Sequence, residues 1–190
     1  LKSKIIDVKS FNGSLLWEPW DNLKVDGTPY KVFTPFFKNG CLHNISPRKP
    51  KSTPKILSSK IYSIKSEPLI NLDLLPNKKW SSSITNGWKI GESHAKDLML
   101  NFFKNGLNNY KEGRNFPSKL NVSKLSPYIR WGQISPNTLW YNVEKFSDKA
   151  SIQNIDIFKS ELGWREFSYY LLYHFPHITE KNLQKKFDNF

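Results

Sequence analysis

The chain carries one cysteine and one methionine in 190 residues. A lone thiol, Cys41, excludes an intrachain disulfide, fits a reducing compartment and is expected to be a buried structural thiol. No apolar run approaches the roughly 20 residues needed to span a bilayer, and the opening residues LKSKIIDVKSF lack the apolar core of a secretory leader. These absences predict a cytoplasmic protein without membrane contact. Acids are also scarce: 16 Asp and Glu against 29 Lys and Arg leave a net charge of +13. A basic balance favours polyanions, DNA being the commonest, but these lysines are spread along the chain rather than gathered in one stripe. The four histidines, His43, His94, His174 and His177, are scattered, so no metal site is expected. There is no GxxxxGK phosphate loop, and nothing sets Cys41 beside a base as a nucleophile would require. The sequence opens at Leu1 without Met and closes at Phe190 without a polar tail, which reads as an interior piece of a longer protein.

What the sequence has in quantity is aromatic residues, 15% of the chain. They are densest in residues 161–176, ELGWREFSYYLLYHFP. At about 100° per residue, a helix places Phe158, Glu161, Arg165, Ser168 and Leu172 on one face. Leu162, Tyr169 and Tyr173 flank it on one side, and Trp164, Phe167 and Leu171 on the other. A helix apolar nearly all round is expected to be buried, and a buried carboxylate or guanidinium must be paired or face a polar ligand. The plain reading is a Glu161–Arg165 pair at i,i+4 that supports the helix. The functional reading is a pocket for a planar polar ligand such as a base or a flavin, because Trp164 sits beside those charges. Gly163 costs about 1 kcal/mol relative to Ala inside a helix, so close packing against the backbone is expected there.

Elsewhere the pattern predicts a strand at residues 4–9, a loop or short helix at 13–20, and a β-rich segment at 30–33 stopped by Pro35. Residues 37–87 read as a linker, punctuated by Pro47, Pro50, Pro54, Pro68 and Pro76. Residues 48–60 hold five basic residues and no acid, either a solvated connection or a basic arm that tracks DNA. Residues 88–190 are helical. A helix over 92–105 carries Ala95, Leu98, Met99, Phe102 and Phe103 at helical spacing and ends at Gly106. A short turn carries residues 107–112. Ser126-Pro127 and Ser135-Pro136 are two helix starts with Ser as N-cap and Pro at the first helical position. The second continues through Leu139, Trp140, Val143 and Phe146, and a long helix over about 153–173 is closed by Pro176. The hydroxyls of Ser123 and Ser126 beside a helix start suit either a phosphate site or ordinary capping.

Four of these segments carry a family resemblance. Residues 161–167 (ELGWREF) closely resemble the E-L-x-W-R-E-F helix of the DNA photolyase and cryptochrome family. Residues 110–117 (YKEGRNFP) and 123–136 (SKLSPYIRWGQISP) resemble two further family motifs, in the same order and at similar distances. Residues 30–36 (YKVFTPF) resemble the segment that joins the family's antenna domain to its linker. The resemblance implies a mainly α chain. Residues 1–36 would be the C-terminal remnant of an α/β, Rossmann-like antenna domain, 37–87 a long linker, and 88–190 the truncated start of the helical FAD-binding domain.

The same resemblance implies site residues. FAD would be held by Tyr110, by Val122, Ser123, Lys124, Leu125 and Ser126, and by Phe158, Glu161 and Arg165. Val122 stands where the family usually has a hydroxyl, so that contact would fall to its backbone amide. Phe158 stands where related photolyases often have Trp. Arg114, Glu161, Trp164 and Arg165 would face DNA, with Glu161 hydrogen-bonding a pyrimidine dimer, Trp164 stacking against it and Arg165 lying beside the flavin. The implied activity is light-driven repair of cyclobutane pyrimidine dimers by an electron from reduced FAD, a carbon–carbon lyase reaction. The expected partner is dimer-containing DNA and the expected state a monomer. No catalytic electron-relay tryptophan is expected before Phe190, and the chain alone is expected to be inactive. A second, antenna chromophore (folate or deazaflavin) would bind mostly outside it. The alternatives are a cryptochrome-like blue-light receptor and, from another class, a basic helical DNA-binding module without cofactor.

Overall fold

The computed structural model describes residues 6–9, 11–44, 46–55, 65–74 and 78–189. Among them there is no strand. The helices are α1 (Phe33–Pro35), α2 (Lys79–Asn86), α3 (Glu92–Asn105), α4 (Tyr110–Gly113), α5 (Ser126–Arg130), α6 (Pro136–Val143) and α7 (Ile152–His174). α1 runs straight on into a π-helical segment, Phe36–Leu42. The helical assignments over 92–105, 136–146 and 153–173 agree with the sequence pattern. Ser135 and Ser151, both extended at ψ 147°, cap α6 and α7 by accepting the backbone N–H of Thr138 and Asn154.

Three expectations are corrected. Residues 6–9 and 30–32 form no strand: among the described residues no second segment pairs with them to complete a ladder; residues 4 and 5 lie outside the described residues. Pro35 does not stop a strand but sits in the first turn of a helix, where its missing N–H has no intrahelical partner to lose. Ser126 is not an N-cap: Leu125, at φ −88° and ψ −11°, is already helical, so the helix begins one residue early and the Ser126 hydroxyl caps nothing.

Residues 37–42, expected to open the linker, are helical, and Phe36, Phe37 and Cys41 are buried in the core. Further on, the Asn137 side chain donates to the Arg48 carbonyl at 2.8 Å and the Tyr141 hydroxyl to that of Pro47, so 47–48 lie fastened to α6. The part of the basic run at 56–60 lies outside the described residues. Cys41 is buried as expected, and burial pushes its thiol well above the ordinary range.

α7 is the axis of the core. One of its faces carries Gly163, Glu166, Phe167, Tyr170 and His174, at i, i+3, i+4, i+7 and i+11, and residues 15–41 are stapled along it. The Glu166 carboxylate accepts the Leu16 N–H at 2.7 Å and the Trp17 N–H at 3.4 Å. The Tyr170 hydroxyl accepts from Tyr30 N–H at 3.0 Å and donates to the Asn22 carbonyl at 2.8 Å. His174 Nε2 donates to the Pro19 carbonyl at 3.0 Å. Aromatic rings fill the spaces between: Phe36 lies 5.1 Å from Phe167 and 4.6 Å from Tyr170. At the other end of α7, Phe158 packs within 5.7 Å of Phe102, Phe103 and Tyr110.

The helix is therefore buried on one side only. The opposite side, with Trp164, Ser168 and Leu172, is exposed, which corrects the expectation of a fully buried helix. The close approach expected at Gly163 is present. A Cβ there would lie 2.5 Å from the Phe37 ring, and that ring is wedged against Trp17, Trp140 and Phe33. Ala at 163 improves intrinsic helix propensity by about 1 kcal/mol, but the ring has no free side to move to. We expect Gly163→Ala to destabilise by a net of about 1–3 kcal/mol in urea unfolding. A neutral or stabilised variant would show that the Phe37 ring yields. Phe37→Leu in the same chain should recover part of the loss.

Candidate functional site

A cleft of about 350 Å³ opens between α4, α5 and the side of α7 turned away from the Gly163 face. Its size falls at the small end of ligand pockets, about 300–1,000 Å³. Leu125, Ile129, Leu139, Phe158 and Leu162 make an apolar floor; Ser123, Ser126, Arg130, Glu161 and Arg165 supply the polar groups. Tyr110 and Tyr169 close the sides.

Each wall has a local cause. The Ser123–Ser126 loop is pressed onto α4 at Gly113, where a Cβ would lie 2.2 Å from the Asn121 side chain. Asn121 in turn donates to the Gly106 carbonyl at 2.7 Å, beyond the end of α3. Lys124 takes a positive φ of 53°, which turns the chain so that Leu125 drops into the core while Ser123 and Ser126 stay on the cleft. α4 is bolted to α7 through buried Asn154, whose side chain accepts from Lys111 N–H at 2.9 Å and donates to the Asn108 carbonyl at 2.6 Å.

The charges pair differently from the i,i+4 expectation. Glu161 is bound not to Arg165 but to Arg114, across from α4. Arg165 pairs with its neighbour Glu166 at 2.6 Å and lies over the Tyr169 ring at 4.9 Å. The hydrogen bond to Glu161 holds the Arg114 guanidinium still more firmly protonated. Burial raises the Tyr110 hydroxyl pKa, the Glu161 charge adds to that, and Arg114 opposes it. Glu166 is pushed up to about 7 by burial, against the pull of Arg165 and of the Leu16 and Trp17 amides.

Of the residues singled out in the sequence, the cleft brings together Tyr110, Ser123, Leu125, Ser126, Phe158, Glu161 and Arg165. Val122 and Lys124 line an adjoining groove beside α3, which shares Ser123 with the cleft. Arg114 lies above the Tyr110 ring at 5.7 Å. Trp164 is outside the cleft, half-exposed and stacked on Phe33 at 3.7 Å between ring centroids. Sequence reasoning missed Arg130 and Tyr169 on the cleft and the buried clamp of Glu166. The clamp had a legible signal: Glu166 is the one charged residue on a helix face otherwise formed by Leu162, Gly163, Phe167 and Tyr170. Among the described residues no group of acidic, His and Cys side chains could hold a metal, and no helix is long and apolar enough to cross a membrane.

The cleft is thus walled by one long aromatic helix, apolar at its floor and fringed by hydroxyls, two guanidinium groups and one carboxylate. Comparisons with known proteins give the class of protein. The chain is 40% identical over 195 residues to the deoxyribodipyrimidine photo-lyase of Agrobacterium fabrum, a match over 100% of this chain and 40% of that protein. It is 32% identical to the deoxyribodipyrimidine photo-lyase of Alkalihalophilus pseudofirmus, over 92% of this chain and 35% of the relative. Cryptochrome-1 of Arabidopsis thaliana matches at 26% identity, over 96% of this chain and 28% of its own. The crystal structure of a bacterial class III photolyase from Agrobacterium tumefaciens superposes with a TM-score of 0.89 at 38% identity, over 100% of this chain and 39% of that one. No family model matches the chain. The chain belongs to the DNA photolyase and cryptochrome family, and it spans about two fifths or less of the length of these relatives.

Proposed function

We propose that this chain is part of a photolyase that repairs cyclobutane pyrimidine dimers in DNA with light, and that its cleft forms one wall of an FAD site. The observation that carries the reading is the cleft itself, on which six residues from three separate motifs converge together with Phe158. Its residues fit such a cofactor. The apolar floor suits a ring system, the Ser126 hydroxyl caps nothing and the Ser123 hydroxyl, which accepts the Leu125 N–H at 3.4 Å, keeps its own proton to donate toward a diphosphate, and Arg130 and Arg165 supply positive charge. Reduced flavin, when bound, supplies the light-driven electron.

The remaining work belongs to the chain. Glu161, at the rim, offers a carboxylate oxygen to the N–H groups of a pyrimidine edge. Trp164 offers one ring face to a flipped base, its other face being backed by Phe33. In this reading residues 88–190 belong to the FAD-binding domain, 1–36 to the end of an antenna domain, and the stretch between connects them. The π-helical residues Phe36–Leu42 would join that connection to the core.

The competing reading is a cryptochrome-like receptor on the same scaffold. One relative named photo-lyase is 40% identical, against 26% for a cryptochrome, which supports repair. The test is dimer splitting under blue light by the full-length, flavin-loaded protein; flavin photochemistry without splitting would favour the receptor. In the same assay Trp164→Ala should weaken binding of dimer-containing duplex by about 1–3 kcal/mol, the worth of one base–aromatic stack, with flavin content unchanged. Unaltered affinity would remove Trp164 from the lesion surface.

A further inference from the structure

Arg114, the residue that ends α4, and Glu161 of α7 meet at the mouth of the cleft. Their meeting is built rather than incidental. Asn154, buried two turns before Glu161 on the same helix, makes hydrogen bonds to both ends of the turn that leads into α4. The Tyr110 ring lies beneath the Arg114 guanidinium and packs edge-on against Phe158 at 5.7 Å. The pair thus rests on an aromatic platform and is about one-third exposed on each side, 33% and 37%. Arg114 takes Oε1 of Glu161 through Nη1.

We propose that Arg114 is a positioning residue for Glu161: by holding one carboxylate oxygen it turns the other toward a base entering the cleft, and so governs preference for the lesion over undamaged DNA. This inference rests on the photolyase reading above. A surface arginine that only neutralised a phosphate would weaken all DNA alike and lower the salt dependence. A guanidinium committed to Glu161 acts instead through that carboxylate, and its loss frees the side chain to swing among rotamers, so that the acceptor is no longer preorganised.

The experiment is a double-mutant cycle on the full-length, flavin-loaded protein. Affinity is measured for a duplex carrying one thymine dimer and for the same duplex undamaged. The variants are Arg114→Ala, Glu161→Gln and the pair of substitutions together. We expect Arg114→Ala to lose about ten-fold more affinity for the dimer-containing duplex than for the undamaged one, the size usual for coupled neighbours. In the Glu161→Gln background the same substitution should affect both duplexes equally. Arg114→Lys keeps the charge but not the forked donor geometry, so it should restore binding to undamaged DNA while preference for the lesion stays low. This variant also serves if Arg114→Ala does not fold. Losses that are equal on both duplexes and additive in the cycle would overturn the inference, as would full recovery of lesion preference in Arg114→Lys. A wild-type protein with no preference for the dimer would instead overturn the photolyase reading beneath it.

Discussion

Glu166→Ala is expected to destabilise the protein by about 3–5 kcal/mol, the cost of removing one partner from a buried ion pair. The carboxylate is 3% exposed and serves three donors: Arg165, Leu16 N–H and Trp17 N–H. Its removal leaves a largely buried guanidinium without its carboxylate and withdraws the acceptor that fastens residues 16–17 to α7. Glu166→Gln should cost less, because the amide oxygen still accepts one backbone N–H.

The two variants also differ from the parent in pH response. The Glu166 pKa is about 7 in the folded protein against an ordinary 4.5, raised chiefly by burial. The folded state therefore holds a proton that the unfolded state releases between those values. Its contribution is fully present below pH 4.5 and is lost as pH rises through about 7, a change of up to about 3 kcal/mol. Urea midpoints measured from pH 4.5 to 8 should show this fall in the parent and a flatter profile in Glu166→Gln. Equal slopes in the two proteins would assign the pH dependence to other groups.

The second large effect is at Tyr170, 1% exposed, whose hydroxyl joins the Tyr30 N–H to the Asn22 carbonyl. Tyr170→Phe keeps the ring and its packing against Phe36 and Phe167. It leaves two buried backbone groups without this partner, at about 1–3 kcal/mol for each group so orphaned. Hydrogen exchange separates this from a general loss of packing. The Tyr30 amide should lose protection strongly while amides in the middle of α3 change only with global stability. Uniform loss along the chain would show that the hydroxyl is not a local staple.

Both predictions concern the face of α7 that joins residues 15–41 to the helical body, and that face was only partly legible in the sequence. The period of apolar residues located α3, α6 and α7 because a 3.6-residue repeat is a local property, and Ser135 marked the start of α6 by an equally local hydrogen bond. Gly163 announced a close approach, since a helix interior tolerates glycine poorly without a reason; that the approaching group is the Phe37 ring could not be read. Six of the cleft residues were legible within motifs, and they do converge, together with Phe158.

The pairing of charges was not legible. The i,i+4 rule counts only neighbours along one helix, whereas Glu161 found Arg114, 47 positions earlier, because Asn154 ties α4 beside α7. The absence of strands at 6–9 and 30–32 has the same cause: extended backbone becomes a strand only when another segment supplies the ladder. Composition and periodicity thus determined that the chain is basic, largely helical and carries one long aromatic helix with charges in its interior. Which carboxylate is buried as a clamp, which is left at the cleft mouth, and which arginine holds it were decided by tertiary contacts between residues far apart in the chain.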